Sequence, residues 1–112
     1  MCLVVQIETP AGVAALDEIL AVEGLDAVFI GPSDLSANYG HIGNPGAPEV
    51  VEAVQSSLDK IAASDKASGI MALDPAAAKS YLDRGVDFVA VSIDARTLAL
   101  SLRAIAADMR NR

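Results

Sequence analysis

Four short apolar runs, each followed by a longer segment with apolar residues at helical spacing, constrain this chain more than any other feature. The runs fall at residues 3–7, 26–30, 69–73 and 87–93, and they are almost continuously hydrophobic rather than alternating. Strands of that kind are buried on both faces, as in a parallel sheet joined by helical crossovers. The segments between them carry helix punctuation. Thr9 stands as an N-cap before Pro10, and Val13, Leu16, Ile19 and Leu20 form a stripe that Gly24 ends. Pro48 opens a helix with Val50, Val54, Leu58 and Ile61 on one face. Asp74-Pro75 starts another that Gly85 stops, and Asp94 is expected to cap a last one. The stripe of that last helix, Leu98, Leu102, Ile105 and Met109, is expected to pack on the chain's own strands. Residues 31–47, rich in glycine and proline, read as a long functional loop.

The order βαβαβαβα defines one α/β unit over residues 1–112, with right-handed crossovers expected. Two architectures fit it: four strands of an open doubly wound sheet, or half of an eight-stranded barrel. Periodicity does not choose between them, and both place a site at the C-terminal ends of the strands.

Charge and cysteine content narrow the function. Eight basic residues against fifteen acidic ones give a net charge of −7, which excludes a nucleic-acid backbone binder. Arg96, Arg103, Arg110 and Arg112 gather near the C-terminus, where the last two suit a helix C-terminal end. The single cysteine, Cys2, permits no internal disulfide, fits a reducing compartment and reads as a buried thiol. No apolar stretch reaches the ~18 residues of a membrane span, and no basic-led signal opens the chain. The expected location is the cytoplasm, with no membrane partner.

An acidic residue stands at or near the end of every strand: Glu8, Asp34, Asp74 and Asp94. In a parallel sheet these four share one rim. Helix capping explains Asp74 and Asp94. Glu8 is not needed as a cap, since Thr9 serves, and it shares strand parity with Gln6. Asp34 follows the Gly31-Pro32 break, where the backbone is free to turn toward a ligand. Glu8 and Asp34 are therefore candidate metal ligands, with capping and buried hydrogen bonding as the alternative. Two oxygen ligands with open positions suit a hard, water-retaining cation such as Mg or Mn. Cys2 and His41 lack zinc-like spacing. His41 reads as a surface histidine, and Ser33 has no identifiable catalytic triad.

With these residues in view, the chain resembles the HpcH/HpaI aldolase family. The matching segments are V-V-Q-I-E-T at 4–9, V-E-G-L-D-A-V-F-I-G-P-S-D-L-S at 22–36, G-N-P at 43–45 and P-E-V at 48–50. They continue through G-I-M-A at 69–72 and F-V-A-V-S-I-D at 88–94. The wording is similar to the 4-hydroxy-2-oxoheptanedioate and 2-dehydro-3-deoxyglucarate aldolases, more than to the citrate lyase β-subunit and malyl-CoA lyase branch. The resemblance implies the C-terminal half of a (β/α)8 barrel, holding its last four βα units without the first four. It implies a class II aldolase that cleaves 4-hydroxy-2-oxo acids to pyruvate and an aldehyde. In that reading Glu8 and Asp34 hold a divalent Mg, Mn or Co ion, and Gln6 contacts substrate. Ser33 and Asp34 form the turn whose amides hold the pyruvate carboxylate. The family's histidine base, its acidic partner and a transition-state arginine belong to the first half, so no catalytic residue is expected in this one. The resemblance also implies a homo-oligomer. A half barrel alone would be inactive or nearly so, and a non-catalytic assembly module or a metal-free open-sheet domain are the competing readings.

Overall fold

The computed structural model describes residues 1–111, which leaves Arg112 of the C-terminal basic group outside the described residues. Ten elements follow in chain order: β1 (Val4–Ile7), α1 (Pro10–Ala14), α2 (Leu16–Leu20), β2 (Ala27–Ile30), α3 (Pro32–Asn38), α4 (Pro48–Ala62), β3 (Ala67–Met71), α5 (Pro75–Asp83), β4 (Phe88–Ala90) and α6 (Asp94–Arg110). The four strands form one sheet in the order β1-β2-β3-β4, with every neighbouring pair parallel. All four strand C-termini therefore lie along one rim, as the apolar runs require.

Strand parity divides the sheet into two faces. Ile7, Val28, Ile30 and Ile70 point into the core, where Leu16, Leu35 and the α4 stripe of Val50, Val54, Leu58 and Ile61 meet them. Each fully buried aliphatic side chain contributes roughly 1.5–3 kcal/mol, so this layer holds the helices to the sheet. The opposite parity runs across the sheet as one register row, Gln6, Phe29, Gly69 and Phe88. The rings of Phe29 and Phe88 stack with centroids 5.6 Å apart across the intervening glycine. A β-carbon on Gly69 would stand 2.3 Å from the Phe88 ring, so the pair closes only over a residue with no side chain.

Helix ends follow the sequence signals. Thr9 accepts from the Gly12 amide at 3.1 Å and Asp74 from the Ala77 amide at 2.8 Å, each one residue ahead of a proline. Gly40 and Gly85, with φ of 85° and 96°, end α3 and α5. In both, the following amide reaches back five residues, His41 to Ser36 and Val86 to Tyr81, in the Schellman arrangement that only a left-handed residue completes readily.

Five expectations need correction. Residues 31–47 are not a continuous loop, because Pro32 starts α3: proline fixes a helical φ and lacks the amide that a first turn leaves unpaired anyway. The first helical stripe bends at Ala15 into α1 and α2, which takes Leu16 fully out of solvent. The third and fourth strands are displaced or trimmed to Ala67–Met71 and Phe88–Ala90, because the ladder with β2 and β3 sets their limits rather than hydrophobicity. Ile93, not Asp94, is the cap residue of α6, and the Asp94 carboxylate accepts from the adjacent Ala95 amide at 2.7 Å. Cys2 precedes the ladder and is exposed, not buried.

The α6 stripe departs furthest from expectation. Leu98, Leu102, Ile105 and Met109 are 56–62% exposed, and α6 buries no residue. The radius of gyration, 16.3 Å, exceeds the about 13 Å expected of a compact chain this long, because α6 projects from the body.

The sheet's opposite end is closed by two aspartates that the apolar runs had included as first strand residues. Asp26 accepts from the Leu3 amide at 2.7 Å, and Asp87 accepts from the Ser68 amide at 2.7 Å and the Ser68 hydroxyl at 2.9 Å. These bonds, the backbone one foremost, hold the Asp87 carboxyl below its ordinary range. A carboxyl whose native pKa is depressed adds stability above its unfolded pKa and loses it as pH falls through the native value. Asp87→Asn is therefore expected to lower stability at pH 7 and to flatten the loss below about pH 4. Urea melts of both proteins at pH 7 and pH 3 check this; parallel losses in the two would contradict it.

Candidate functional site

The pairing of β1 with β2 builds the site. Ile7 stands opposite Ile30, and the Gly31 amide extends the ladder by donating to the Ile7 carbonyl at 3.0 Å. Glu8 and Gly31 thus leave the sheet side by side. Glu8 shares a face with Gln6, whose Nε2 donates to Glu8 Oε2 at 2.9 Å. Gly31 is what lets that amide in: a β-carbon there would lie 2.7 Å from Gln6 Nε2.

Gly31 caps α3, and the Leu35 amide donates to its carbonyl at 2.9 Å as the first bond of the helix. Ser33 and Asp34 thus occupy the first turn, where amides have no partner within the helix and an anion is favoured. The Ser36 hydroxyl, fully buried, donates to the Ser33 carbonyl at 2.7 Å and fixes this turn from below.

Asn38 joins the two strand ends. Its Nδ2 donates to the Asp34 carbonyl and to the Glu8 carbonyl, both at 3.0 Å. Sequence reading missed this residue. Its sequence signal is the i,i+4 spacing from Asp34, masked by the glycine and proline content of residues 31–47.

Gln6, Glu8, Ser33 and Asp34 all lie on one rim and all are exposed. Among the described residues, no salt bridge engages Glu8 or Asp34. On the helical faces Asp17 pairs with Lys60 and Asp59 with Arg84, while Glu18, Glu52 and Asp83, like Glu8 and Asp34, make no salt bridge among the described residues. His41 pairs with Glu49 of the α4 first turn, which accounts for it structurally. Asp74 spends one oxygen on its cap, and no described group of three or more acidic, histidine or cysteine side chains is placed to hold a metal. The two unpaired carboxylates still fit a hard divalent cation, because their donors are all oxygen and such ions retain several waters.

Beside this cluster lies a cavity of about 750 Å³, bounded by Ser33, Met71, Asp74, Tyr81, Val91 and Arg96 among others. It extends along the rim from α3 to the first turns of α6. Burial pushes the Tyr81 phenol up, with Arg84 acting the other way.

Four parallel strands with helical crossovers and acidic residues at the strand C-termini define the half-barrel class of α/β proteins. Residues 1–100 match the HpcH/HpaI aldolase/citrate lyase family, and the chain belongs to that family. It is 50% identical over 110 residues to a hydroxypyruvate/pyruvate aldolase of Roseovarius nubinhibens, covering 98% of this chain and 43% of that protein. It is 49% identical over 107 residues to a 4-hydroxy-2-oxo-heptane-1,7-dioate aldolase of Salmonella paratyphi B, covering 96% of this chain and 41% of that protein. The crystal structure of an HpcH/HpaI aldolase/citrate lyase family protein from Burkholderia cenocepacia superposes with a TM-score of 0.88 at 34% identity, over 98% of this chain and 43% of that one. The chain thus spans about two fifths of the length of the relatives it matches.

Asn38→Ala should loosen the site without unfolding the chain. Losing two hydrogen bonds is expected to cost about 1–2 kcal/mol and to speed amide exchange in α3 more than in α4. Hydrogen-exchange mass spectrometry measures this; equal acceleration in both helices would show that Asn38 is not the tether.

Proposed function

We propose that this chain carries the metal and 2-oxo acid subsite of a class II, pyruvate-dependent aldolase, which cleaves 4-hydroxy-2-oxo acids to pyruvate and an aldehyde. The observation that carries the reading is a pair of exposed carboxylates with no salt bridge among the described residues, Glu8 and Asp34, on adjacent parallel strand ends tied together by Asn38.

Glu8 and Asp34 would hold a divalent Mg, Mn or Co ion, which when bound supplies Lewis-acid stabilisation of negative charge on the 2-oxo acid. The chain's own groups bind and orient. Gln6 steadies the Glu8 carboxylate through its 2.9 Å bond and is proposed to contact the substrate with its remaining amide donor. The amides of Ser33 and Asp34, unclaimed by the helix, present fixed dipoles to the acid's carboxylate. No residue of this chain is assigned as the catalytic base. Its role is substrate positioning and charge stabilisation, as the last four βα units of a barrel whose first four supply proton transfer, so the isolated chain is proposed to be inactive or nearly so.

Calorimetric titration with Mn tests the site. The wild-type chain should bind, and Glu8→Ala and Asp34→Ala should each weaken binding more than about tenfold. Equal affinity in all three proteins refutes the proposal.

A second reading, a non-catalytic half-barrel assembly module, draws on the exposed α6 stripe and on the open sheet face that carries Phe88 at 39% exposure. Apolar patches of this kind mark association surfaces. On this reading the chain sediments as a homo-oligomer whether or not metal is present; a metal-bound, well-dispersed monomer speaks for the subsite alone.

A further inference from the structure

Resting on the proposed divalent-cation site, we infer that Asn38 is a positioning residue that shifts the site's preference toward small, rigidly octahedral ions and away from calcium. It acts without touching the ion, through the two backbones that carry Glu8 and Asp34.

The first argument is where the sheet's control ends. The β1–β2 ladder closes with the Gly31 amide on the Ile7 carbonyl at 3.0 Å. Glu8 follows Ile7 directly, whereas Asp34 lies beyond Gly31 in the first turn of α3. Among the described residues, the hydrogen bond that joins Glu8 to α3 comes from the Asn38 side chain. Its Nδ2 spans thirty positions to the Glu8 carbonyl and four to the Asp34 carbonyl, each at 3.0 Å. One nitrogen thus holds both carbonyl oxygens no farther apart than twice that length. Both N–H groups of the amide are engaged in this bridge.

The second argument is what else holds the two segments. Leu35 and Ser36 are fully buried and seat α3 on the core. Apolar burial is non-directional, so it fixes depth rather than bearing. The Ser36 bond to the Ser33 carbonyl lies wholly within α3. On the other side, the Gln6 amide orients the Glu8 carboxylate from its own strand. Each carboxylate is therefore steadied within its own segment, and the directional link between the segments beyond the ladder is Asn38.

Spacing decides selectivity because the ions differ in tolerance. Magnesium demands near-ideal octahedral geometry with oxygens at about 2.0–2.1 Å, whereas calcium accepts more ligands at about 2.3–2.6 Å in flexible arrangements. A clasp that holds two carboxylate-bearing backbones at one separation serves the first ion and matters little to the second. Without the clasp, the small ion must draw the segments together itself and binds more weakly.

The experiment titrates the whole chain with Mn, following free Mn by electron paramagnetic resonance, and then displaces it with Mg or Ca. The wild type should bind Mn and release it to Mg. Asn38→Ala should weaken Mg at least about tenfold and Ca by less than about threefold, so that the ratio of the two constants moves toward Ca. Retained Ca binding, with amide exchange in α4 unchanged, certifies the fold. Asn38→Leu, similar in shape and a stronger helix former but without a donor, should give the same shift and replaces the alanine variant if that one does not fold. Proportionate loss of Mg and Ca, which a merely structural role would give, overturns the inference and leaves the proposed function standing. So do unchanged constants for both ions, or wild-type Mn that Mg does not displace. If the wild type binds no Mn, the cation site itself falls and this inference with it.

Discussion

The in-register parallel pairing of β1 with β2 is the constraint on which the rest depends. A parallel ladder delivers both strands to the same rim, and the Ile7–Ile30 pair fixes the height at which they leave it. One residue later the chain presents Glu8 from one strand and Gly31 from the other. A register slip by one residue would turn Gln6 and Glu8 into the aliphatic core and expose Ile7, so the hydrophobic layer beneath enforces the geometry of the polar site above. Packing and function are in this sense one requirement.

The site that results is built from small, local devices rather than from deep burial. Gly31 makes room for the Gln6 amide, Pro32 starts a helix at once, and Asn38 reaches back from the end of that helix to clasp both strand exits. The carboxylates themselves stay exposed and without a cation of the protein's own. That combination, a fixed backbone beneath two exposed carboxylates, is the ground on which the divalent-ion site is proposed.

Two surfaces are left uncovered by the same topology. The helices and core lie against the face of Ile7, Val28, Ile30 and Ile70, while the row through Phe29 and Phe88 stacks on itself and meets solvent at Phe88. Helix α6 leaves the sheet without burying a side chain. In a closed barrel the face that carries Phe29 and Phe88, turned away from the helices, is the interior. In the row Gln6, Phe29, Gly69 and Phe88 one residue without a side chain separates the two aromatic rings.

The residue pattern alone determined the order of the four strands and the presence of the α4, α5 and α6 helices, the caps at Thr9 and Asp74, the glycine stop at Gly85, and the family to which the chain belongs. These are legible because they depend on neighbours a few positions away: a cap bonds an amide three residues on, and a helical stripe repeats within a turn. It also singled out Glu8 and Asp34, because a carboxylate with no local task stands out against an apolar strand. What tertiary structure alone decided was everything set by residues distant in the chain. It placed Asn38 between two strand ends thirty positions apart, trimmed β3 and β4 to the lengths their partners pair with, and hid the start of α3 inside a glycine-rich segment. It also left the α6 stripe in solvent, since amphipathic spacing states that a helix has an apolar face but not which surface covers it. Periodicity records local geometry; contact is a property of the whole fold.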